Sequence, residues 1–313
     1  MGEFRAGLAI PRQDPNLTLA AIERAEARGV QTAWSTVGGA APDALTVFAA
    51  AAVRTTRIGL GTSIVPTYPI HPIKLVSQAL ALNGLAPGRF RLGVGPSHRP
   101  TIEGSFGLPM GKPLDHLREY VTILRDLLWE GRTAFAGDSY RVSAEIPAGI
   151  APPRLPILIS ALRSNAFRLA GEIADGAISW ICPVDYLIGT ALPALRAGAE
   201  AAGRPAPPLV GHVPVAVHTD RAAVRAAARV QFATYARLPF YRNMFADAGF
   251  PIGADNLLPD ALLDTLVVSG DVATVRARLA AIQDAGVDEL LITQVAIQDA
   301  EAEEAELSAV LAG

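Results

Sequence analysis

The sequence predicts an α/β fold, and within that class a (β/α)8 TIM barrel with an insertion after the seventh strand. Eight short apolar runs alternate with stretches of helical apolar spacing across the 313 residues, which is the pattern of this barrel. No G-x-G-x-x-G motif follows the first run, as a dinucleotide-binding sheet would show. Both observations favour the barrel over the alternative, a doubly wound open sheet.

The predicted strands are short and largely apolar, and turn residues follow them. They are Gly7–Pro11, Gln31–Thr36, the first half of Arg57–Pro72, Arg89–Gly95, Leu155–Ser160, Gly176–Trp180, Leu209–His218 and Asp288–Thr293. Each strand and the helix after it form one unit, and the other units are arranged around the third. In the third unit, a proline-rich turn separates the apolar strand from its helix. In parallel α/β folds, ligands bind at this carboxyl end of the strands.

The predicted helices combine apolar residues at helical spacing with capping residues at their starts. They are a helix capped by Asn16 or Thr18 that runs to Arg28, Pro42–Arg54, Ile73–Leu82, Leu114–Glu130, Ser164–Ala174, a helix capped by Asp185 toward Ala202, one capped by Thr219-Asp220 toward Ala236, one capped by Ser269-Gly270-Asp271 to Ala285, and one after Asp299. Gly131–Val142 predicts a β-hairpin with Gly137-Asp138 at its turn.

Composition and charge indicate a soluble cytoplasmic protein with a single domain over residues 1–313. Hydrophobic residues make up 50% of the chain, which is enough for one large core. No apolar run of about 18 residues occurs, which argues against a membrane span. Met1–Arg5 lacks the basic residues followed by apolar residues that are typical of a signal peptide. The net charge of −3 without a basic stripe argues against nucleic acid as a partner.

Residues 237–268 interrupt the alternation of strands and helices. They are rich in aromatic and turn residues, among them Pro239, Phe240, Tyr241 and Phe250. We interpret this segment as the insertion over one face of the fold. Two roles stay open for it, a lid over the site or a contact between the subunits of a homodimer.

Residues with catalytic chemistry are few, which indicates an organic cofactor rather than a metal. The single cysteine, Cys182, excludes a multi-cysteine metal site. The sequence has no metal-ligand spacing, P-loop or G-x-S-x-G motif, and it has only five histidines. We therefore expect no metal site and expect the barrel to borrow its chemistry from a bound cofactor that acts on a small molecule.

Four segments, in the same order along the chain, resemble the bacterial-luciferase-like flavin or deazaflavin oxidoreductase family. They are Ile58–Ser63 followed by His71-Pro72, then Leu85–Gly95, then Leu169–Gly176, and finally the Ser269-Gly270-Asp271 helix with Ala285–Asp288. Within this family the resemblance is strongest to the actinobacterial branch that uses the deazaflavin coenzyme F-420. That second resemblance depends on Ala9–Pro11, Gly95–Arg99 and Ser179-Trp180.

The resemblance implies a cofactor site at the ends of the third and fourth strands. In the family the third strand ends in a bulge with a non-prolyl cis peptide, which here corresponds to the bond between Ser63 and Ile64. This bulge would support one face of the deazaflavin ring. The turn Gly95-Pro96-Ser97-His98 corresponds to a cofactor-binding segment, in which glycine lets the backbone approach closely. His98 is the predicted catalytic residue, as a proton donor to substrate.

The resemblance also implies a phosphate site at Ser160-Ala161-Leu162-Arg163 and the start of the following helix, since backbone N–H groups at a helix N-terminus favour an anion. The family often has glycine where Arg163 stands, so this turn departs from the family pattern. An arginine there can contact the phosphate or the acidic tail directly. Ser179 and Trp180, at the end of the sixth strand, are also predicted to bind the cofactor, and Trp180 is predicted to line the ring edge or the substrate pocket.

The resemblance implies an F-420-dependent oxidoreductase that transfers hydride between the reduced deazaflavin and an activated C=C or C=N bond of a small organic substrate. Sugar-phosphate dehydrogenases of the family carry a catalytic Asp-His pair where this chain has Ser35-Thr36, which disfavours that activity. An FMN-dependent luciferase-like monooxygenase is the first alternative. A non-catalytic cofactor-binding protein is the second, and an unrelated barrel lyase or hydrolase would need clustered carboxylates or a metal that the sequence lacks.

Overall fold

Eight parallel strands form a closed barrel in the computed structural model, which describes residues 5–10 and 14–311. The predicted (β/α)8 fold is confirmed. The barrel strands are β1 (Ala6–Ala9), β2 (Thr32–Ser35), β3 (Gly59–Thr62), β4 (Phe90–Gly95), β5 (Ile157–Ser160), β6 (Gly176–Ile178), β7 (Leu209–Ala216) and β8 (Glu289–Gln294). Two sequence predictions concern residues outside the described ones. The signal-peptide prediction depends mostly on Met1–Phe4, and the first strand was predicted to end at Pro11.

Each barrel strand pairs in parallel with the next one along the chain, and β8 closes the barrel by pairing with β1, where Leu8 lies opposite Ile292. Two short strands extend the sheet at the carboxyl ends. Val65–Pro66 pairs with the end of β4, and Val268–Ser269 pairs with the end of β7. The turns that follow the strands therefore meet at one end of the barrel.

Helices surround the barrel, and those outside the insertion follow the order that the sequence predicts. The helices are α1 (Pro15–Ala27), α2 (Ala44–Arg54), α3 (Pro72–Leu85), α4 (Pro113–Arg125), α5 (Ser164–Ile173), α6 (Leu192–Ala201), α7 (Arg221–Gln231), α8 (Pro239–Asp247), α9 (Asp260–Leu266), α10 (Val272–Asp284) and α11 (Ala300–Leu311). The predicted hairpin is formed by Arg132–Ala136 and Arg141–Glu145. The insertion contains α8 and α9. Among the described residues, no helix has the length and apolar character required to cross a membrane.

Two predicted helix caps are wrong. Asp14 caps α1, and its Oδ1 accepts a hydrogen bond of 2.8 Å from the Asn16 backbone N–H. The helix begins earlier than expected because Pro15 occupies its first position, where a missing N–H costs nothing. Asp185 caps no helix, since it lies inside the short helical turn Val184–Tyr186, whose N-cap residue offers no side-chain hydrogen bond.

A tryptophan fills the centre of the barrel below the strand ends. The Trp34 ring lies so close to β1 and β3 that a Cβ at Gly7 would be 2.6 Å from its Nε1 and one at Gly61 would be 2.4 Å from its Cε3. The Arg91 guanidinium lies 4.6 Å from the centre of the Trp34 ring and forms two hydrogen bonds with the Glu289 carboxylate. This closed interior confines any ligand to the carboxyl end of the barrel.

Candidate active site

A cavity of about 1180 Å³ opens at the carboxyl ends of the strands. Ten of the twelve residues predicted to bind the cofactor line it. They are Ser63, Ile64, Pro96, Ser97, His98, Ser160, Ala161, Leu162, Arg163 and Trp180. Gly95 and Ser179 lie behind this lining. The long-range arrangement therefore brings together turns that are separated by more than a hundred residues in the sequence.

The end of β3 forms the predicted bulge. The peptide bond between Ser63 and Ile64 is cis, as the resemblance implies. The segment after β2 holds both residues in place, because the Thr36 hydroxyl donates to the Ser63 carbonyl at 2.9 Å and the Val37 N–H donates to the Ile64 carbonyl at 3.0 Å. Ile64 borders the cavity, so the bulge forms part of its wall.

The turn after β4 approaches the bulge closely because Gly95 has no side chain. A Cβ at Gly95 would lie 2.1 Å from the Ser160 hydroxyl oxygen and 3.2 Å from Ile64 Cγ1. Ser97 has φ of 62°, a conformation that residues with a side chain rarely adopt. Such backbone conformations cluster at functional sites. We name the three turns Ser63–Ile64, Gly95–His98 and Ser160–Arg163 the turn face.

His98 extends the turn face into the cavity. Its Nδ1 is buried and has no hydrogen-bond partner in the described part of the protein. Burial lowers the pKa of His98 below its usual 6.5, because a charged imidazole would lose its solvation. The ring is therefore neutral at pH 7. Its centre lies 5.6 Å from that of Tyr241 on α8.

The third turn places Arg163 at the start of α5, where its side chain does not cap the helix. The first-turn N–H groups and the partial positive charge of the helix end favour an anion at this position. The Arg163 guanidinium faces the Asp247 carboxylate of α8, with Nε 2.6 Å from Oδ2. This ion pair joins the turn face to the insertion. It also raises the pKa of Arg163.

Aromatic side chains form the opposite wall. Trp180 was predicted to line the site, Phe240 and Tyr241 were named only as aromatic residues of the insertion, and Phe232 and Tyr235 were missed. We name Trp180, Phe232, Tyr235, Phe240 and Tyr241 the aromatic face, and all five line the cavity. The Trp180 indole N–H donates to the Tyr235 hydroxyl oxygen at 2.7 Å, and the Tyr235 and Tyr241 rings meet edge to face at 4.6 Å. The sequence signal was the aromatic content of the insertion. Its helix α8 contributes Phe240, Tyr241 and Asp247 to the cavity lining.

Two predicted contact residues do not reach the cavity lining. Ser179 is fully buried, and its hydroxyl oxygen accepts a hydrogen bond of 3.2 Å from the His212 backbone N–H. The Ser179 side chain is therefore outside the cavity lining, because alternate residues of a strand point to opposite sides, and Trp180 takes the position on the cavity. Gly95 lies behind the lining and affects it through the close approach described above.

Three further observations define what the site can do. Ser35, at the end of β2, lines the cavity with a buried hydroxyl that has no hydrogen-bond partner in the described structure. Cys182 is buried, and burial raises the pKa of its thiol to about 12, so it is not a nucleophile at neutral pH. Within residues 5–10 and 14–311, no group of three histidine, cysteine or carboxylate side chains is placed to hold a metal ion.

A family model described as luciferase-like monooxygenase matches residues 2–289. The chain belongs to this family. The resemblance found in the four sequence segments is thereby confirmed.

Two curated relatives carry the same name, F-420-dependent glucose-6-phosphate dehydrogenase. The protein from Nakamurella multipartita is 41% identical over 184 residues, which are 55% of this chain and 52% of that protein. The protein from Kineococcus radiotolerans is 29% identical over 270 residues, 82% of this chain and 78% of that protein. The chain thus spans about half the length of the first relative.

A solved structure has the same fold at low sequence identity. It is an F-420-dependent secondary alcohol dehydrogenase in complex with an F-420–acetone adduct. The TM-score is 0.83 at 18% identity, and the match covers 99% of this chain and 98% of that chain. At this identity the likeness establishes the barrel alone.

Proposed function

We propose that this member of the luciferase-like monooxygenase family is a coenzyme F-420-dependent oxidoreductase that acts on a small organic substrate. The observation that carries the proposal is the turn face, on which the ends of β3, β4 and β5 meet along one side of the cavity. The coenzyme and the enzyme class predicted from the sequence agree with the names of the two curated relatives. The single-domain assignment of residues 1–313 is part of the same proposal.

The residues of the cavity fit this coenzyme. The buried Ser35 hydroxyl and His98 Nδ1 lack partners in the described protein, and buried polar atoms are normally satisfied by a protein group, water or a ligand. At Gly95 a Cβ would collide with Ser160, so the turns can come together only with glycine there. The unpartnered polar atoms and the close approach of the turns suit a large polar ring system with a phosphate-bearing chain.

Each turn of the turn face has a separate part in holding the coenzyme. Ser63 and Ile64 support one side of the ring. Pro96, Ser97 and His98 contact its edge or the chain attached to it, with Gly95 allowing their approach. Ser160–Arg163 and the N-terminus of α5 hold the phosphate. Trp180 closes the cavity from the side of the aromatic face, and Ser179 supports it from behind.

Reduced F-420 supplies a hydride when it is bound. The contribution of the protein is to position the substrate, to exclude water with the aromatic face, and to supply a proton. We assign the delivery of this proton to the imidazole of His98, which is neutral at pH 7 because burial lowers its pKa. One ring nitrogen takes a proton from water as the other gives its own proton to the substrate. A positioned side chain of this type contributes to the rate when it lies within hydrogen-bond reach of the reacting group.

The end of β2 favours reduction of an activated C=C or C=N bond over oxidation of a sugar phosphate. Ser35 and Thr36 are hydroxyl residues, which are poor bases at neutral pH, and the Thr36 hydroxyl donates to the Ser63 carbonyl. Abstraction of a proton from an alcohol would need a stronger base at this position. An activated double bond accepts a hydride with less help from acids and bases.

Two alternatives follow from particular observations. The family description favours an FMN-dependent monooxygenase, whose reduced flavin reacts with O₂. The hydroxyl residues Ser35 and Thr36, in place of an acid–base pair, favour a non-catalytic cofactor-binding protein. All three functions place a ring system against the turn face, so the identity of the ring and its reactivity distinguish them.

The test is a fluorescence titration of the purified protein with F-420 and, separately, with FMN. We expect saturable binding of F-420 and at least tenfold weaker binding of FMN. A screen of activated alkenes and imines with reduced F-420 then follows the reappearance of oxidised F-420 absorbance. Preferential binding of FMN would overturn the proposal in favour of the monooxygenase. Tight F-420 binding with no turnover across the screen would favour the non-catalytic protein.

A further inference from the structure

A buried histidine that the proposed function does not use lies behind the aromatic face. His212 on β7 is 1% exposed. Its Nδ1 lies 3.0 Å from the Ile181 backbone nitrogen, and its Nε2 lies 2.8 Å from the Thr293 hydroxyl oxygen. The Trp180 indole stacks on its ring at 3.8 Å between centres. The imidazole thus connects the turn after β6 with the end of β8.

These contacts fix the tautomer of His212. A backbone N–H can only donate, so Nδ1 accepts from Ile181 and carries no proton. Burial lowers the pKa of His212 to about 3, so the ring is neutral and its single proton is on Nε2. Nε2–H therefore donates to the Thr293 hydroxyl. Ile181 has φ of 43°, an unusual conformation for a β-branched residue, and its N–H is the group that His212 holds.

The tautomer in turn orients the hydroxyl of Thr293. Because its oxygen accepts from His212, the hydroxyl hydrogen is available for a different acceptor. No other hydrogen bond of this hydroxyl is formed within the described protein, and Thr293 lines the cavity. The end of β8 therefore presents an oriented donor to the cavity beside the aromatic face.

The side chains that contact His212 and the neighbour of Thr293 are uncharged. Trp180 stacks on the His212 ring at 3.8 Å, Phe232 meets that ring edge to face at 6.4 Å, and the Gln231 amide donates to the backbone carbonyl of Gln294. Among the described lining residues, the lysine and arginine side chains are those of Lys112 and Arg163, at the starts of α4 and α5. Arg163 is moreover paired with Asp247. In the described part of the chain, the hydrogen-bond partners of Thr293 and His212 include no cation that could pair with a phosphorylated or carboxylated substrate.

From this arrangement we propose that the site takes a neutral, conjugated carbonyl compound, with its carbonyl oxygen on the Thr293 hydroxyl and its apolar body on the aromatic face. The inference rests on the proposed function and narrows its substrate to an alkene activated by a carbonyl group. Thr293 is then a substrate-binding residue, and His212 is a positioning residue that acts through it.

The reaction requires the reduced coenzyme, the Thr293 hydroxyl and a source of protons. The hydride from reduced F-420 adds to the β-carbon of the conjugated system, and the electron pair of the C=C bond moves toward the carbonyl oxygen. The Thr293 hydroxyl stabilises the negative charge that develops on this oxygen, as preorganised donors do in other active sites. A proton from water, passed on directly or through the His98 ring, adds to the α-carbon. The products are the saturated carbonyl compound and oxidised F-420.

The test uses 4-(dimethylamino)cinnamaldehyde, a neutral conjugated aldehyde whose absorption band moves to longer wavelength when its carbonyl oxygen accepts a hydrogen bond. The intact protein without added coenzyme is titrated with the aldehyde, and both the dissociation constant and the band position are recorded. We expect saturable binding with a shift to longer wavelength. The Thr293→Val variant is expected to lose most of the shift and to bind the aldehyde roughly three- to tenfold more weakly.

Two further variants provide the controls. Thr293→Ser restores a hydroxyl at the same position and is expected to recover the shift. Thr122→Val makes the same chemical change on α4, where the hydroxyl donates to the Arg118 carbonyl away from the cavity lining, and is expected to behave like the unaltered protein. The inference would be overturned if the unaltered protein bound the aldehyde without a shift. It would also be overturned if the Thr293→Val variant kept the full shift. Neither outcome can result from a variant that fails to fold.

A parallel F-420 titration separates this inference from the proposed function. Binding of F-420 together with an aldehyde shift that is independent of Thr293 overturns the inference and leaves the coenzyme assignment in place. Failure to bind F-420 overturns the proposed function, while a shift that depends on Thr293 still supports the donor and the class of compound that it recognises.

Discussion

The two walls of the cavity are built in different ways. The turn face consists of backbone turns at the ends of three consecutive strands, β3, β4 and β5, and its key residues are small, such as Ser63, Gly95 and Ser160. The aromatic face consists of large side chains from the turn after β6, the segment after α7 and the inserted helix α8. The backbone conformation determines the shape of the turn face. The choice of side chains determines the shape of the aromatic face.

This difference suggests a division of labour. A wall of backbone turns tolerates little change, because a Cβ at Gly95 already meets Ser160, and it suits a ligand that is the same in every turnover. A wall of side chains can be altered one residue at a time while the barrel is kept. We infer that the turn face sets the coenzyme and that the aromatic face, with Thr293, sets the substrate.

The largest expected effect comes from a side chain at Gly95. In the Gly95→Val variant the added atoms collide with Ser160 and Ile64, so the turns after β3, β4 and β5 must separate. We expect F-420 to bind at least 100-fold more weakly, measured by fluorescence titration. Gly104→Val is the matched control, because a Cβ at Gly104 meets nothing within 4 Å. Equal loss in both variants would mean that the turn face does not define the coenzyme site.

The second prediction concerns the histidine that supports the aromatic face. The pKa of His212 is about 3 in the folded protein and 6.5 for an ordinary histidine, so the unfolded chain binds the proton more strongly. Stability is therefore unaffected above pH 6.5 and is lost as the pH falls from 6.5 toward 3. Between pH 7 and pH 5 this histidine is expected to remove about 2 kcal/mol from the free energy of unfolding.

Urea unfolding of the unaltered protein and of His212→Gln at the two pH values measures this contribution. The variant should lose less stability on acidification than the unaltered protein does. His116, whose pKa burial lowers to about 4, acts in the same direction in both proteins and cancels in the comparison. An identical pH dependence of the two proteins would contradict a neutral, buried His212, and with it the tautomer that orients Thr293.

The contrast between the walls also explains what could be predicted from sequence. Strands, helices and turns are local patterns, so the barrel and the positions of Ser63–Ile64, Gly95–His98 and Ser160–Arg163 followed from glycine, proline and serine at the ends of apolar runs and from the family resemblance. The cis bond between Ser63 and Ile64 was likewise anticipated. These features depend on residues that are neighbours in the chain.

The remaining features depend on contacts between distant residues. Nothing local to His212 indicates that its ring bridges Ile181 and Thr293, and the Arg163–Asp247 pair joins residues on α5 and on the insertion. Ser179 and Trp180 are adjacent in sequence, yet only Trp180 reaches the cavity. An error of one residue in the assignment of strand faces places a side chain in the core instead of the cavity. The sequence pattern at the end of a three-residue strand does not determine which face a side chain occupies.

The smallest expected effect concerns the ion pair that joins the two walls. The side chains of Arg163 and Asp247 are 47% and 40% exposed, so the pair contributes less than about 1 kcal/mol to stability. In the Asp247→Asn variant Arg163 is released from the carboxylate and its charge is free to attract the phosphate of the coenzyme. We expect F-420 to bind about two- to threefold more tightly, with a stronger dependence on salt concentration.

Asp185→Asn is the control for this variant, because it removes the same charge from the short turn before α6, outside the cavity lining. The direction of the effect decides how the two walls are related. Tighter binding in Asp247→Asn alone means that the aromatic face restrains the coenzyme site through α8, so that a movement of the insertion would change coenzyme affinity. Weaker binding means that Asp247 holds Arg163 in its binding position, and the insertion is then a structural part of the turn face.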